Sequence, residues 1–323
     1  MILHHWQGTV SNFGDELNAL LWPRLLPGFF DDSPDARFLG IGSILDARHP
    51  PGPLKIVAGA GYAGYERKPV LDGTWIIHWV RGRLTAAALS LPESVALGDP
   101  AMLLPQVYPC PPLQPAHIGF MPHFESLEHG RWPQAAAAAG LILIDPRDPP
   151  EAILAAICRC RVLLSEALHG AIVADALRVP WIPMRPVAPI HRAKWRDWTT
   201  SLALQIRPQP LPASSAAELL SVSRVGRLHR GRQVIDRYRP KLARLGAGRL
   251  LDRAAEALRR AAAIEPQLSD GTALDRCQTR MLEAVDVLRR QPLEGLTHRS
   301  RGKICATGLH QRDTSEYQLN PVG

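Results

Sequence analysis

Residues 141–184 constrain the fold most, because apolar runs of strand length alternate there with runs of helical spacing, and proline, aspartate or glycine marks each junction. Residues 141–144 form an apolar run ended by Asp145-Pro146 and read as a buried strand. Asp148-Pro149-Pro150-Glu151 then supplies an N-cap, first-turn prolines and an early acid for a helix through Cys158. Residues 161–164 are the next strand, Ser165-Glu166-Ala167-Leu168-His169-Gly170 leads into a helix over 171–177, and 179–184 give a third strand. That order is half of a doubly wound parallel sheet.

The first hundred residues alternate in the same way. Strands are expected at 2–6, 38–41, 55–58 and 75–79, with helices at 15–25 and 83–89. Five prolines, Pro105, Pro109, Pro111, Pro112 and Pro115, then exclude a helix or a central strand and read as a linker. The pattern predicts an α/β protein with two Rossmann-like domains, 1–108 and 109–210, facing a cleft, and a chain of 323 residues suits two cores. Leu242, Leu245, Leu250, Ala254, Leu258 and Ala261 recur at helical spacing in an added helical region, 211–290, expected to brace the second domain. Residues 291–323 are polar and aperiodic and read as a disordered tail.

Charge narrows the partners. Residues 1–210 hold 18 Lys and Arg against 18 Asp and Glu, out of totals of 38 and 30, so residues 211–323 hold 20 and 12 and carry the whole excess of +8. The body is therefore not a basic surface, and Arg224, Arg227, Arg230, Arg232, Arg237, Arg239 and Lys241 lack the interleaved aromatics of a nucleic-acid binder. That cluster reads as a solvated helix face or a peripheral contact with anionic lipid. No apolar stretch reaches membrane-spanning length and no leader is visible at the start, so a cytoplasmic protein is expected. Five scattered cysteines read as reduced thiols, with Cys158 and Cys160 as buried residues and not a metal pair.

Three loops follow strands of the first half and carry small residues: Gly8 to Glu16 with Asn12, Gly14 and Asp15; Gly40-Ile-Gly42-Ser43; and Gly59-Ala-Gly61. Such loops let the backbone approach a ligand at a helix N-terminus, or simply turn and cap the helix. His169, after a strand and at a helix start, can move a proton near neutral pH or serve as a hydrogen-bonded structural residue. His123 occupies a comparable position. Arg81, Arg83, Arg192 and Lys194 follow other strands, and several cations converging on a cleft suit a small, multiply charged anion. There is no G-x-S-x-G, no H-E-x-x-H and no paired-cysteine motif, and the Glu-x7-Glu spacing of nucleotide-sugar enzymes, counted from Glu166, lands on Ala174.

Taken in order, Asn12-Phe-Gly-Asp-Glu-Leu-Asn18, Gly40-Ile-Gly-Ser43, Val80-Arg81 with Thr85, Gly98-Asp-Pro-Ala101, Gly119-Phe-Met-Pro-His123, Ser165-Glu-Ala-Leu-His-Gly170 and Lys194-Trp-Arg-Asp-Trp198 resemble the polysaccharide pyruvyltransferases, the exopolysaccharide, succinoglycan-type ketal-forming members above all. The resemblance covers residues 3–205. It implies a fold like the two-domain glycosyltransferase type B, phosphoenolpyruvate as co-substrate, and the sugar of a lipid-linked oligosaccharide as acceptor. His169 then matches the histidine of the proton chemistry. Arg81, Arg83, His123, Arg192 and Lys194 are expected on the donor's charges, and Asn12, Gly14, Asp15, Gly42, Ser43, Ser165 and Glu166 are expected to line the cleft. No cofactor or metal is implied. Many relatives have arginine before the Leu-His pair where this chain has Ala167, so Arg83, Arg192 or Arg196 would supply that contact. The alternatives are a nucleotide-sugar glycosyltransferase of the same fold and a non-catalytic glycan- or anion-binding protein.

Overall fold

Short β-branched and apolar runs covered on both sides build two parallel sheets, as parallel strands require. A computed structural model describes residues 1–290 apart from Thr9 and residues 111–115, 224–228 and 243–246. The first sheet runs β1 (Ile2–His4), β2 (Ala36–Leu39), β3 (Leu54–Ala58) and β4 (Trp75–Trp79), parallel and in that spatial order. Helix α1 (Phe13–Leu25) crosses from β1 to β2 and packs Leu17, Leu21 and Trp22 on Phe38, Ile56 and Trp79. Each such fully buried side chain contributes about 1.5–3 kcal/mol. On the opposite face Leu39, Val57 and Ile77 meet Ile44, Leu45 and Val95. No helix joins β2 to β3 or β3 to β4. Loops do, turning at Gly42 (φ 132°) and Gly59 (φ 100°), a backbone region that side chains other than glycine rarely adopt. Helix α2 (Arg83–Ala88) and a 3-10 helix, Pro100–Gln106, close this half.

The second half follows as β5 (His117–Met121), α3 (Phe124–His129), α4 (Trp132–Ala139), β6 (Ile142–Leu143), α5 (Pro150–Cys158), β7 (Cys160–Ser165), α6 (Leu168–Ala176) and β8 (Trp181–Pro183). Its strands are parallel in the order β6-β5-β7-β8, so the winding reverses between β5 and β7. Ligands bind at such a switch point, outside the carboxyl ends of the strands. Helix α1 packs on α5 and α6, which joins the cores of the two sheets through Phe13, Leu17, Ile153 and Leu168.

Five α-helices follow among the described residues: α7 (Arg192–Ser201), α8 (Ala216–Ser221), α9 (His229–Leu242), α10 (Ala247–Ala262) and α11 (Gly271–Arg290). Helix α10 braces the second sheet, with Ala254, Leu258 and Ala261 against Trp132 and Leu164. Helix α11 does not. It returns to the first half, where Gln278 Nε2 donates to Met102 O at 2.7 Å and the Arg289 guanidinium to Leu25 O at 2.7 and 3.0 Å, because its buried Met281, Val285 and Leu288 complete the core under the 3-10 helix.

Two sequence expectations are corrected here. Pro105 lies inside the 3-10 helix, a geometry that proline's fixed φ tolerates, so the linker does not begin at that residue. Cys110 and Cys158 form a disulfide and are not reduced thiols: Ala116 N donates to Arg159 O, which holds the segment before β5 alongside the end of α5. Cys160 and Cys277 are free and buried, and burial pushes the Cys160 thiol up to about 12. The expected disordered tail, 291–323, and part of the basic cluster lie outside the described residues. Among the described residues no helix is long and apolar enough to cross a membrane.

Candidate active site

A cavity of about 640 Å³ opens where the loop before α1 meets the N-terminus of α6 and the loop before α7, so both halves supply its walls. It is built on a motif of the first half. Asn18 on α1 is fully buried and fully used: its Nδ2 donates to Asp15 O and Ile41 O, and its Oδ1 accepts from Ile41 N at 2.8 Å and Trp22 Nε1 at 3.2 Å. These bonds clamp the Gly40–Ser43 turn against the helix start and bring Gly42, Ser43, Asn12, Gly14 and Asp15 onto one wall. Gly40 and Gly14 are glycines for a steric reason: a Cβ at Gly40 would lie 2.0 Å from Trp22 Nε1, and one at Gly14 would lie 1.8 Å from His169 Nδ1.

His169, in the first turn of α6, lies with its Nδ1 edge over Gly14 and its Nε2 turned to Asp99 Oδ2 at 3.5 Å. Asp99 is completely buried. Its Oδ1 caps the 3-10 helix through Ala101 N at 3.0 Å, whereas its Oδ2 has no hydrogen-bond partner. A buried carboxylate behind an imidazole orients the ring. In the sequence Asp99 stands within the motif Gly98-Asp-Pro-Ala101 with no signal that singles it out from its neighbours.

A second group faces His169. His123, which caps α3, stacks on His191 with ring centroids 4.0 Å apart, and Lys194 Nζ lies 3.5 Å from His123 Nε2. Burial, with His191, Lys194 and His169 adding to it, holds His123 well below the ordinary histidine value, so its ring is neutral. Burial brings Lys194 down to about 8, assisted by the nearby Arg81 and opposed by Asp15, Glu125 and Glu166. Its ammonium is thus a cation poised to lose its proton just above neutrality. His191 Nε2 meets Glu125 Oε2 at 2.8 Å and its Nδ1 meets Tyr65 OH at 3.1 Å, which ties the first half to the second. Burial drives Asp15 up, against the Asn12 hydrogen bond and the neighbouring His169 and Lys194.

Of the residues singled out from the sequence, the cavity brings together Asn12, Gly14, Asp15, Gly42, Ser43, His123, His169 and Lys194. It does not include the others. The Arg81 guanidinium is wholly buried and not on the wall: Nε donates to Asp197 Oδ2 at 3.0 Å and Nη1 to Ser43 Oγ at 2.8 Å, while Gly61 backs the group closely. Arg81 therefore acts on the cavity through Ser43, which it holds, and through its charge on the nearby Lys194. Arg83 sits at the solvent-facing start of α2 and pairs with Glu93 at 2.9 Å, and the exposed Arg192 turns back to Pro186 O. Arg196 is exposed on α7. Glu166 is a buried hub that accepts from His123 N, Ser126 Oγ and Val187 N, each at 2.8 Å, with its carboxyl raised by burial; Ser165 Oγ donates to Ala167 O. A strand end alone does not say which way its side chain turns, so Arg81, Arg83 and Arg192, expected on the donor's charges, and Ser165 and Glu166, expected to line the cleft, are not among the residues that line this cavity.

The cavity also holds Trp6, Arg48, Tyr65, Phe124, Glu125 and His191, none of which carried a motif. His123, Glu125 and His191 offer one metal-ligand atom each within 4.8 Å of one another, but the two imidazoles are stacked and an ammonium adjoins one of them, which favours hydrogen bonding over coordination.

A family model described as polysaccharide pyruvyl transferase matches residues 71–186, a span that includes Asp99, His123 and His169. The succinoglycan biosynthesis protein ExoV of Rhizobium meliloti (strain 1021) is 36% identical over 221 residues, covering 67% of this chain and 70% of that protein. No solved structure matches significantly.

Proposed function

The chain belongs to the polysaccharide pyruvyl transferase family and is an enzyme of that kind, and on that premise we propose that it moves the pyruvyl group of phosphoenolpyruvate onto a sugar of an exopolysaccharide repeat unit as a cyclic ketal. The observation that carries this reading is His169 on the cavity wall, backed by the buried Asp99 and sharing the cavity with the Lys194 ammonium. Phosphoenolpyruvate has two anionic groups and a methylene carbon that must gain a proton. Lys194, with the first-turn N–H groups of α6, receives the anionic end. His169, oriented by Asp99, delivers a proton to the methylene carbon as one sugar hydroxyl adds to the adjacent enol carbon. The bond from that carbon to the phosphate oxygen breaks, phosphate departs, and a second hydroxyl of the same sugar closes the ring. One donor and one diol give one ketal and one phosphate, with no water consumed.

Two parallel sheets meeting at one cavity support a glycosyltransferase type B-like architecture divided near residue 108. We read the acceptor as lipid-linked and the site of action as the cytoplasmic face of a membrane. Helix α9 supports the membrane contact, since Arg237 and Lys241 flank the exposed Tyr238 there. The test is to supply the purified protein with phosphoenolpyruvate and a membrane extract, then measure free phosphate and acid-labile pyruvate on glycan. His169→Ala is expected to lower both by at least ~100-fold, the scale of lost acid catalysis. Product mass separates the reading from sugar transfer, because a ketal adds one pyruvate less one water.

A further inference from the structure

A second cavity of about 370 Å³ adjoins the first and shares Trp6, Ile44 and Arg48 with it. It lies over the face of β1 and β2 opposite α1, and none of the chemistry above uses it. Trp6 stands at the junction. Its indole is 38% exposed, lies so close over Gly8 that a Cβ there would come within 1.8 Å of the ring, and is 6.2 Å from Phe124, which contacts His123 in turn at 4.8 Å. An aromatic surface held between two cavities, with a polar wall on each side, is how proteins present a flat apolar platform to the C–H face of a sugar.

The walls of the second cavity supply the polar part. His4 and His49 meet edge to face at 5.1 Å, and burial holds both imidazoles below their ordinary range, His4 at about 4, so both are neutral at neutral pH; His4 offers one donor and one acceptor, while His49, whose Nε2 donates to Ile44 O at 2.7 Å, offers its Nδ1 as an acceptor. Arg48 forks onto Asp46 through its Nε and Nη2 at 3.0 and 2.6 Å, which cancels that pair's charge. Arg37 Nε and His5 Nδ1 are buried without a hydrogen-bond partner. An anion would find mostly neutral or already paired groups here, whereas sugar hydroxyls, which donate and accept at once, match them.

We infer that the second cavity is a glycan subsite: the accepting sugar lies in the first cavity beside His169, and the neighbouring sugars of the same neutral oligosaccharide pass over Trp6 to hydrogen-bond with Arg37, His4 and His49. This inference deepens the pyruvyl-transfer reading and rests on it for the identity of the accepting sugar. Two consequences separate it from a merely structural role. Affinity rises with oligosaccharide length, and Arg37 governs that rise without touching the donor.

The test uses the full chain in the presence of inorganic phosphate. The probes are the de-pyruvylated repeat-unit oligosaccharide of the source organism's exopolysaccharide and its trimmed fragments down to one sugar, titrated by calorimetry. The dissociation constant is expected to tighten by at least ~10-fold from one sugar to the full unit, the scale of one good stacking and hydrogen-bonding contact. Trp6→Ala and, separately, Arg37→Met are expected to flatten that gradient to within threefold, while the apparent affinity of Arg37→Met for phosphoenolpyruvate stays as in the unsubstituted protein. A flat gradient in the unsubstituted protein, absence of binding at every length, or a gradient unaltered by both substitutions overturns the inference. So does displacement of the full unit by inorganic diphosphate alone, which would make the cavity an anion site. Failure of the donor reading looks different: phosphate release from phosphoenolpyruvate would be missing while the length gradient and its sensitivity to Trp6 remain.

Discussion

Replacing Asp99 by asparagine isolates the carboxylate behind His169 without altering the cavity wall. Asparagine keeps an Oδ1 to accept from Ala101 N and replaces the oxygen that faces His169 Nε2 with an uncharged amide. At 3.5 Å the attraction between a carboxylate and an imidazolium is about 1 kcal/mol for a dielectric near 80 and about 5 kcal/mol for an effective value near 20. Because Asp99 is fully buried, the upper part of that range applies, and about 2–4 kcal/mol lost from a step in which the imidazole holds the proton lowers kcat roughly 30- to 1,000-fold. The KM for phosphoenolpyruvate should stay within twofold, since Asp99 is not on the wall. Stability should hold, because one buried polar atom without a hydrogen-bond partner takes the place of another. Initial rates of phosphate release at saturating donor and acceptor, with a thermal melt of each protein, measure all three. A kcat within threefold of the unsubstituted enzyme, with an unaltered melt, refutes the assignment of this pair to proton transfer.

Lys194 is charged below its value of about 8 and neutral above it, so the KM for phosphoenolpyruvate should climb as pH rises through 8. Lys194→Met should raise that KM by about tenfold or more at pH 7 and flatten its rise, and a profile that keeps its shape would clear the lysine of donor binding. Gly14→Ala pushes a methyl group into the His169 ring and should cost about 100-fold in rate, with the chain still folded by circular dichroism. Asp197→Ala strips Arg81 of its ion pair and Thr85 of two hydrogen bonds at 2.9 and 2.6 Å, and chemical denaturation should read about 3–5 kcal/mol less stability. A loss under about 1 kcal/mol would mean that the α2–α7 contact does not depend on this pair.

Much of the secondary structure was legible because strands buried on both faces are written as short apolar runs and their ends as proline, glycine and aspartate. Thus 55–58 and 75–79 match β3 and β4 to within a residue, and the start of α5 falls at its prolines. The loops that replace crossover helices around β3 were legible as small-residue stretches at Gly40–Ser43 and Gly59–Gly61, but the burial against the sheet that fixes them was not. Helix α11 was assigned to the wrong half for a related reason: an amphipathic helix announces an apolar face but not the surface that will cover it. The disulfide between residues 48 apart was hidden in an odd count of five cysteines.

What the sequence determined by itself was the alternation that makes two parallel sheets, the family, and the histidine at the head of α6, since each is a local pattern or an ordered set of them. What tertiary structure decided was which charges count. Arg81 and Lys194 both carry a cation in a quoted motif, yet one is neutralised by Asp197 inside the protein and the other faces the cavity with a weakened hold on its proton. Asp99 and His169 stand 70 positions apart in the chain, and only the packing of the 3-10 helix beneath α6 sets them side by side. Charge and protonation at a site depend on burial and on distances across the fold, and those quantities exist only once the two halves have closed on each other.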